Sequence, residues 1–194
     1  ASGFVPGSGA GAMVLESLES ATKRGASIYA EVLGGAINSG GQKNGGTMPA
    51  HTPNAVVHCI KNALKNTTVS ADEIDLINGH LTATTKDAQE IESWTKALQL
   101  KGKDFPYIQS LKSMVGHCLA AAGSIESVAA VLQLNKGFIF PTINAEDIHP
   151  EITHRIDPTK LSNKLIHKPL NIAAKASFGF GDVNACVLFK KLDV

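Results

Sequence analysis

Short apolar runs separated by helical patterns and glycine-bearing loops are what most constrain this chain. Residues 28–37, 74–77, 107–109, 170–178 and 183–189 each carry an apolar run of strand length. Between them, residues 54–65 place Val56, Val57, Ile60, Ala63 and Leu64 on one helical face. Ile91, Trp94 and Leu98 share a face in a second helix, which Thr84 or Thr85 can cap. Gly116 is predicted to open an alanine-rich helix running to about Lys136. Its residues 119–122, Ile125, Val128, Ala129 and Leu132 are apolar over so much of the circumference that central burial is expected. Strands alternating with helices imply a layered α/β domain whose ligands sit at the carboxyl ends of the strands.

Upstream, residues 7–11 are glycine-rich, residues 12–16 form a run of strand length, and a helix over 17–24 is stopped by Gly25. The first five residues read as an immediate entry into structure, so the chain is expected to start inside a fold. Residues 38–53 combine glycines with two prolines and mark a loop.

Charge excludes one class of partner. Lys and Arg total 18 against 17 Asp and Glu in 194 residues, so no basic field is present to attract nucleic acid or anionic lipid. No run approaches the roughly 20 apolar residues of a membrane span, and no leader pattern opens the chain. The three cysteines, Cys59, Cys118 and Cys186, are widely spaced and lack any C-x-x-C pairing, which fits a reducing cytoplasm. A soluble cytoplasmic protein with no nucleic-acid or membrane partner is expected.

Three segments concentrate polar and glycine residues where strands end: Asn78-Gly79-His80-Leu81-Thr82-Ala83-Thr84, residues 110–117 (Ser-Leu-Lys-Ser-Met-Val-Gly-His), and Ser177-Phe178-Gly179-Phe180-Gly181. Their order and content are similar to the H-G-T-x-T, K-S-x-x-G-H and G-F-G-G segments of the elongating β-ketoacyl-[acyl-carrier-protein] synthases, over essentially the whole chain. The chain resembles the C-terminal half of such an enzyme.

That resemblance implies a thiolase-like α/β/α fold, with residues 1–26 ending the N-terminal core domain as its last strand and helix and residues 27–194 forming the C-terminal core domain. It implies that His80 and His117 act on the extender thioester. Two N–H donors aimed at one oxygen stabilise the enolate left by decarboxylation, and neutral imidazoles suffice. His117, placed at the start of the alanine-rich helix, is expected to stay neutral beside the positive dipole end. Lys112 carries over as the residue that positions and polarises the histidines, through an ion pair with Glu90. Thr82 and Thr84 carry over as the hydroxyls that hold the pantetheine arm of the carrier protein. Phe180 carries over as the gate between malonyl and acyl pockets, and Gly181 belongs to the turn whose backbone completes the oxyanion hole. The implied partners are an acyl carrier protein bearing phosphopantetheine-linked groups, the N-terminal half of the synthase, and a second copy in a homodimer. No metal or nucleotide cofactor is implied for the chemistry.

The chain departs from the pattern in several places. None of its cysteines fits the family's nucleophile, which precedes the first histidine by more than the 79 residues available here; all three read as small buried hydrophobes. Leu81 replaces a glycine, Asp87 and Glu90 arrive one residue early, and Asp182 stands where a second glycine follows G-F-G. Lys175-Ala176 replaces a small polar pair that in the family helps bind a structural monovalent cation, together with residues matching Asn78 and Glu126. The Lys175 ammonium is expected to take that cation's place beside Glu126. The isolated chain is expected to be inactive. A non-catalytic partner of the chain-length-factor type is the alternative, which retention of His80, Lys112 and His117 disfavours. A degradative thiolase is disfavoured by the absence of a cysteine at residues 180–182.

Overall fold

A computed structural model describes residues 3–41 and 52–192. Most of the loop expected over residues 38–53 lies outside the described residues, as do Ala1 and Ser2. Among the described residues no helix is long and apolar enough to cross a membrane.

Five strands make one mixed sheet: β1 (Glu31–Ser39), β2 (Leu76–Asn78), β3 (Tyr107–Gln109), β6 (Ile172–Gly179) and β7 (Val183–Lys190), in the order β1-β7-β6-β2-β3. β1, β7 and β6 pair antiparallel, whereas β6, β2 and β3 run parallel. β4 (Phe138–Ile139) and β5 (Ile166–His167) form a separate antiparallel pair. The parallel half needs crossovers, and helices supply them.

The alternation of side chains along each strand assigns the two faces. Ile172, Ala174 and Ala176 of β6, with Ile77 of β2, pack into a core with Val56, Cys59 and Ile60 of α2 (Pro53–Thr67) and Ile91 and Trp94 of α3 (Asp87–Leu98). Ala173 and Leu76 point the other way, into a smaller core with Ala130 and Leu134 of α5 (Ala122–Lys136) and Phe189 of β7. Trp94, Phe105, Ile60 and Ile91 are wholly buried, each contributing about 1.5–3 kcal/mol by transfer from water. The same alternation turns Asn78 and Lys175, register partners on β2 and β6, toward the α5 face.

The remaining helices are short: α1 (Leu18–Lys23), capped by the Ser17 side chain and closed by Gly25 at φ 67°, α4 (Lys112–Val115) and α6 (Pro150–Thr153).

Three expectations are corrected. Residues 12–16 form no strand, because no strand of the described residues pairs with them, and Val14 and Leu15 are left exposed. The alanine-rich helix does not begin at Gly116, whose φ of 74° instead terminates α4; after a 3-10 turn, Leu119–Ala121, α5 starts at Ala122. Nor is α5 buried all round. It buries Glu126 and Gln133 and leaves Leu119 of the preceding turn and its own Leu132 exposed, because both polar groups find partners beneath it: Glu126 in two lysines, Gln133 in the Phe140 backbone N–H.

Candidate active site

β2 and β3 end side by side, and the loops that leave them carry the first two polar segments. After Asn78 the chain turns through Gly79 and His80, held by one buried carboxylate. Glu90 accepts the backbone N–H of His80 at 2.7 Å on Oε1 and that of Leu81 at 2.8 Å on Oε2. Burial, with a lesser push from nearby Asp87, raises its carboxyl from 4.5 to about 7, against the pull of those N–H donors and of Lys112. Asp87 performs the same service one turn earlier, accepting the N–H groups of Thr82, Ala83 and Thr84 at 2.9, 2.9 and 3.3 Å. The two hydroxyls of Thr82 and Thr84 lie 3.1 Å apart on the rim of a cavity of about 880 Å³. Ser110, at the end of β3, ties the loops together by donating to the Leu81 carbonyl at 2.8 Å.

His117 stands beside His80, with ring centroids 5.4 Å apart and nearly perpendicular. Its Nδ1 accepts the Leu119 N–H at 3.0 Å, which leaves the proton of a neutral ring on Nε2. Burial first, then the Lys112 and Lys175 charges, holds its pKa below the ordinary 6.5, although Glu126 opposes them. The neutral ring expected from the sequence is therefore supported by burial and two lysines more than by a helix start.

The expected Lys112–Glu90 ion pair is corrected. Lys112, 8% exposed, lies 2.5 Å from Oε1 of Glu126. Glu90 spends both its oxygens on backbone N–H groups, whereas Glu126 faces Lys112 from α5. The second oxygen of Glu126 meets Lys175 Nζ at 2.7 Å, so one carboxylate is bridged by two buried ammonium groups.

Phe180 follows β6 and is 45% exposed, while Phe178 is buried against Trp94. Gly181 adopts φ 78° and Asp182 φ 62°, a left-handed pair that turns the chain into β7. Asp182 is buried and accepts the Thr52 N–H and hydroxyl, both at 2.9 Å, so it caps α2.

Phe4 escaped sequence reasoning. Its ring lies 5.2 Å from His117 and 6.4 Å from Phe180, centroid to centroid. The segment reaches them by pairing with the site: His117 donates its N–H to the Val5 carbonyl at 2.7 Å, and Gly7 donates back to the His117 carbonyl at 3.0 Å. A Cβ at Gly116 would stand 3.0 Å from Val5 O and Gly7 N, so glycine there admits the strap. Only the mixed glycine and apolar pattern of residues 3–11 hinted at such close backbone approach.

All three cysteines are buried. Desolvation raises the Cys59 thiol to about 11 and pushes Cys186 up further, opposite to what a thiolate nucleophile needs. Among the described residues no group of three or more metal-ligating side chains converges.

Comparison with known proteins fits this arrangement. The profile of the β-ketoacyl synthase C-terminal domain matches residues 29–146. The chain is 40% identical over 188 residues to a chloroplastic 3-oxoacyl-[acyl-carrier-protein] synthase I of Arabidopsis thaliana, covering 96% of this chain and 38% of that protein. It is 34% identical over 190 residues to 3-oxoacyl-[acyl-carrier-protein] synthase 1 of Escherichia coli (strain K12), covering 98% and 44%. The chain thus spans less than half the length of these relatives. Among solved structures, the ishigamide ketosynthase/chain length factor superposes with a TM-score of 0.88 at 31% identity, covering 98% of this chain and 45% of that one. A type II PKS ketosynthase, in complex with its acyl-carrier protein and bound to the hexaketide, gives 0.79 at 32% identity, covering 92% and 42%.

Proposed function

The chain belongs to the β-ketoacyl synthase family, through the C-terminal domain of that family, and on that premise we propose that it supplies the decarboxylating half of a β-ketoacyl-[acyl-carrier-protein] synthase in fatty-acid or related acyl-chain biosynthesis. Its fold is the thiolase-like α/β/α layering. Residues 1–26 would close the N-terminal core domain, and residues 27–194 would make the C-terminal one.

The single observation that carries the reading is the His80–His117 pair, a half-buried and a buried imidazole 5.4 Å apart, of which His117 lines the same cavity as Thr82 and Thr84. A malonyl thioester delivered on a phosphopantetheine arm would pass the two threonine hydroxyls. Its carboxylate leaves as CO₂, and the electrons of the broken C–C bond enter the thioester as an enolate. Nε2–H of His117 and an N–H of His80 donate to that oxygen, where charge develops. Lys112, fixed by Glu126, adds a positive field behind His117 and keeps the ring from taking a second proton. The enolate carbon then attacks an acyl thioester held on a cysteine outside this chain, releasing thiolate and β-ketoacyl product. Phe180 and Phe4 would wall the acyl side, and the turn at Gly181 would present backbone N–H to the acyl oxygen. The acyl carrier protein, the nucleophile-bearing half and a second copy are the partners this reading requires.

The complete protein carrying this chain should release CO₂ from malonyl-carrier protein and form β-ketoacyl product. His80→Ala and His117→Ala should each lower decarboxylation by about 10²–10³-fold. Unchanged CO₂ release in both variants would overturn the assignment of the pair; no turnover in the unaltered protein would favour a non-catalytic partner.

A further inference from the structure

Lys175 is 3% exposed, among the most buried charges in the molecule. The strand alternation that buries Ala174 and Ala176 under α2 and α3 forces the residue between them to face α5, opposite Asn78 in the register of β2 and β6. Its Nζ there meets three oxygens: Glu126 Oε2 at 2.7 Å, Ser177 Oγ at 3.0 Å, and the Ala176 carbonyl. Asn78 completes the surround, donating its amide to the Glu126 carbonyl at 3.3 Å. Two of the Lys175 donors go to the Ala176 carbonyl and Ser177 Oγ, and the Glu126 carboxylate lies beside it as an ion pair.

In the family this chain resembles, residues matching Asn78 and Glu126 help bind a structural monovalent cation. The residues present here do not fit one. An ion placed against Glu126 Oε2 would lie beside a fixed ammonium, while Oε1 is already taken by Lys112 at 2.5 Å. Moreover, Ala176 offers the site nothing but its backbone oxygen, and Lys175 has claimed that. We propose that Lys175 is a covalently tethered substitute for a bound monovalent cation: it holds Glu126 in the geometry that directs Lys112 toward His117, and so makes the site independent of Na⁺ and K⁺. The ion-independence follows from the contacts of Lys175 alone, whereas its service to His117 rests on the proposed decarboxylation site. Burial holds the Lys175 pKa below the ordinary 10.5, with the Glu126 carboxylate opposing that shift. A fixed ammonium beside a carboxylate can thus replace an ion that would otherwise have to be drawn from solvent.

The test uses the complete protein and reads stability, so its outcome is separate from whether condensation is detected. At constant ionic strength the unaltered protein should melt at the same temperature in NaCl, KCl and choline chloride. Lys175→Ser, which opens the space and adds a hydroxyl acceptor, should melt about 6 °C or more lower in choline, and should recover most of that loss in NaCl, KCl or ammonium chloride. Lys175→Met, which fills the space without charge or acceptor, should be destabilised equally in all salts. If the serine variant does not fold, the unaltered protein still decides: its crystals soaked in rubidium chloride should show no anomalous peak beside Glu126. A rubidium peak there, a higher melting temperature of the unaltered protein in K⁺ or Na⁺ than in choline, or a serine variant insensitive to added ions would each overturn the proposal.

Discussion

Lys112 Nζ lies 2.5 Å from Glu126 Oε1, so the lysine five residues ahead of His117 is anchored to α5 and not to the loop carboxylate Glu90. Both groups are almost wholly buried, and each would be costly without the other.

The first prediction orders two carboxylates. Glu126→Gln leaves two buried ammonium groups facing a neutral amide, and should destabilise the complete protein by about 3–5 kcal/mol. Glu90→Gln exchanges one acceptor oxygen for an NH₂ that must face the His80 or Leu81 N–H, and should cost about 1–3 kcal/mol. Chemical denaturation of both variants checks the order. A larger loss for Glu90→Gln would place the Lys112 anchor on the wrong carboxylate.

Glu90 also predicts a pH dependence. Its folded pKa of about 7 stands above the ordinary 4.5 because of burial, so the folded state binds the extra proton between those values. Its contribution to stability is therefore fully present below pH 4.5, declines as pH rises toward 7, and is lost above it. The full swing is on the order of 3 kcal/mol. Unfolding free energies measured from pH 4.5 to 8 should show this slope, and Glu90→Gln should remove it. A slope of the same size in the variant assigns the effect elsewhere.

Much of this arrangement was legible in the sequence, for definable reasons. Apolar runs of strand length marked β2, β3 and β6, and the segments leaving them carry His80, His117 and Phe180, which the fold brings together from positions as far as 100 apart. What escaped were relationships between distant segments. No local pattern says that Lys112 reaches Glu126 on the next helix, or that Phe4 lies against His117. The alanine-rich helix was started too early because its apolar residues begin at Leu119, whereas Gly116 at φ 74° is needed for the Val5–Gly7 strap. Residues 12–16 have strand composition, but a strand needs a neighbour, and composition does not reveal which chain provides it. Nor does any local pattern show that the Asp182 carboxylate holds Thr52 at the start of α2.

A third prediction concerns His117. Burial and the Lys112 charge hold its pKa below 6.5, so decarboxylation that needs a neutral ring should persist at pH values where a free imidazole is already protonated. As pH falls through the lowered folded value, both activity and the stability linked to this group decline. Lys112→Met removes a positive neighbour and should move the acid limb of the kcat profile upward. An acid limb that stays in place would show that Lys112 does not set the charge state of His117.

The last prediction follows from what the surface leaves uncovered. Val14, Leu15 and Leu18 are 90%, 72% and 61% exposed, and Leu119 is 51% exposed. Exposed apolar side chains on this scale favour association, as does the position of β1 at the edge of the described sheet. Under the proposed reading these surfaces meet the nucleophile-bearing half, which also carries the cysteine the condensation requires. The 20.3 kDa chain produced alone should therefore self-associate or precipitate and should form no β-ketoacyl product. Co-expression with the nucleophile-bearing segment should yield a soluble assembly in which Val14 and Leu15 are protected from hydrogen exchange. Sedimentation of the chain alone as a stable monomer, with no change on adding that segment, would remove the case for this interface.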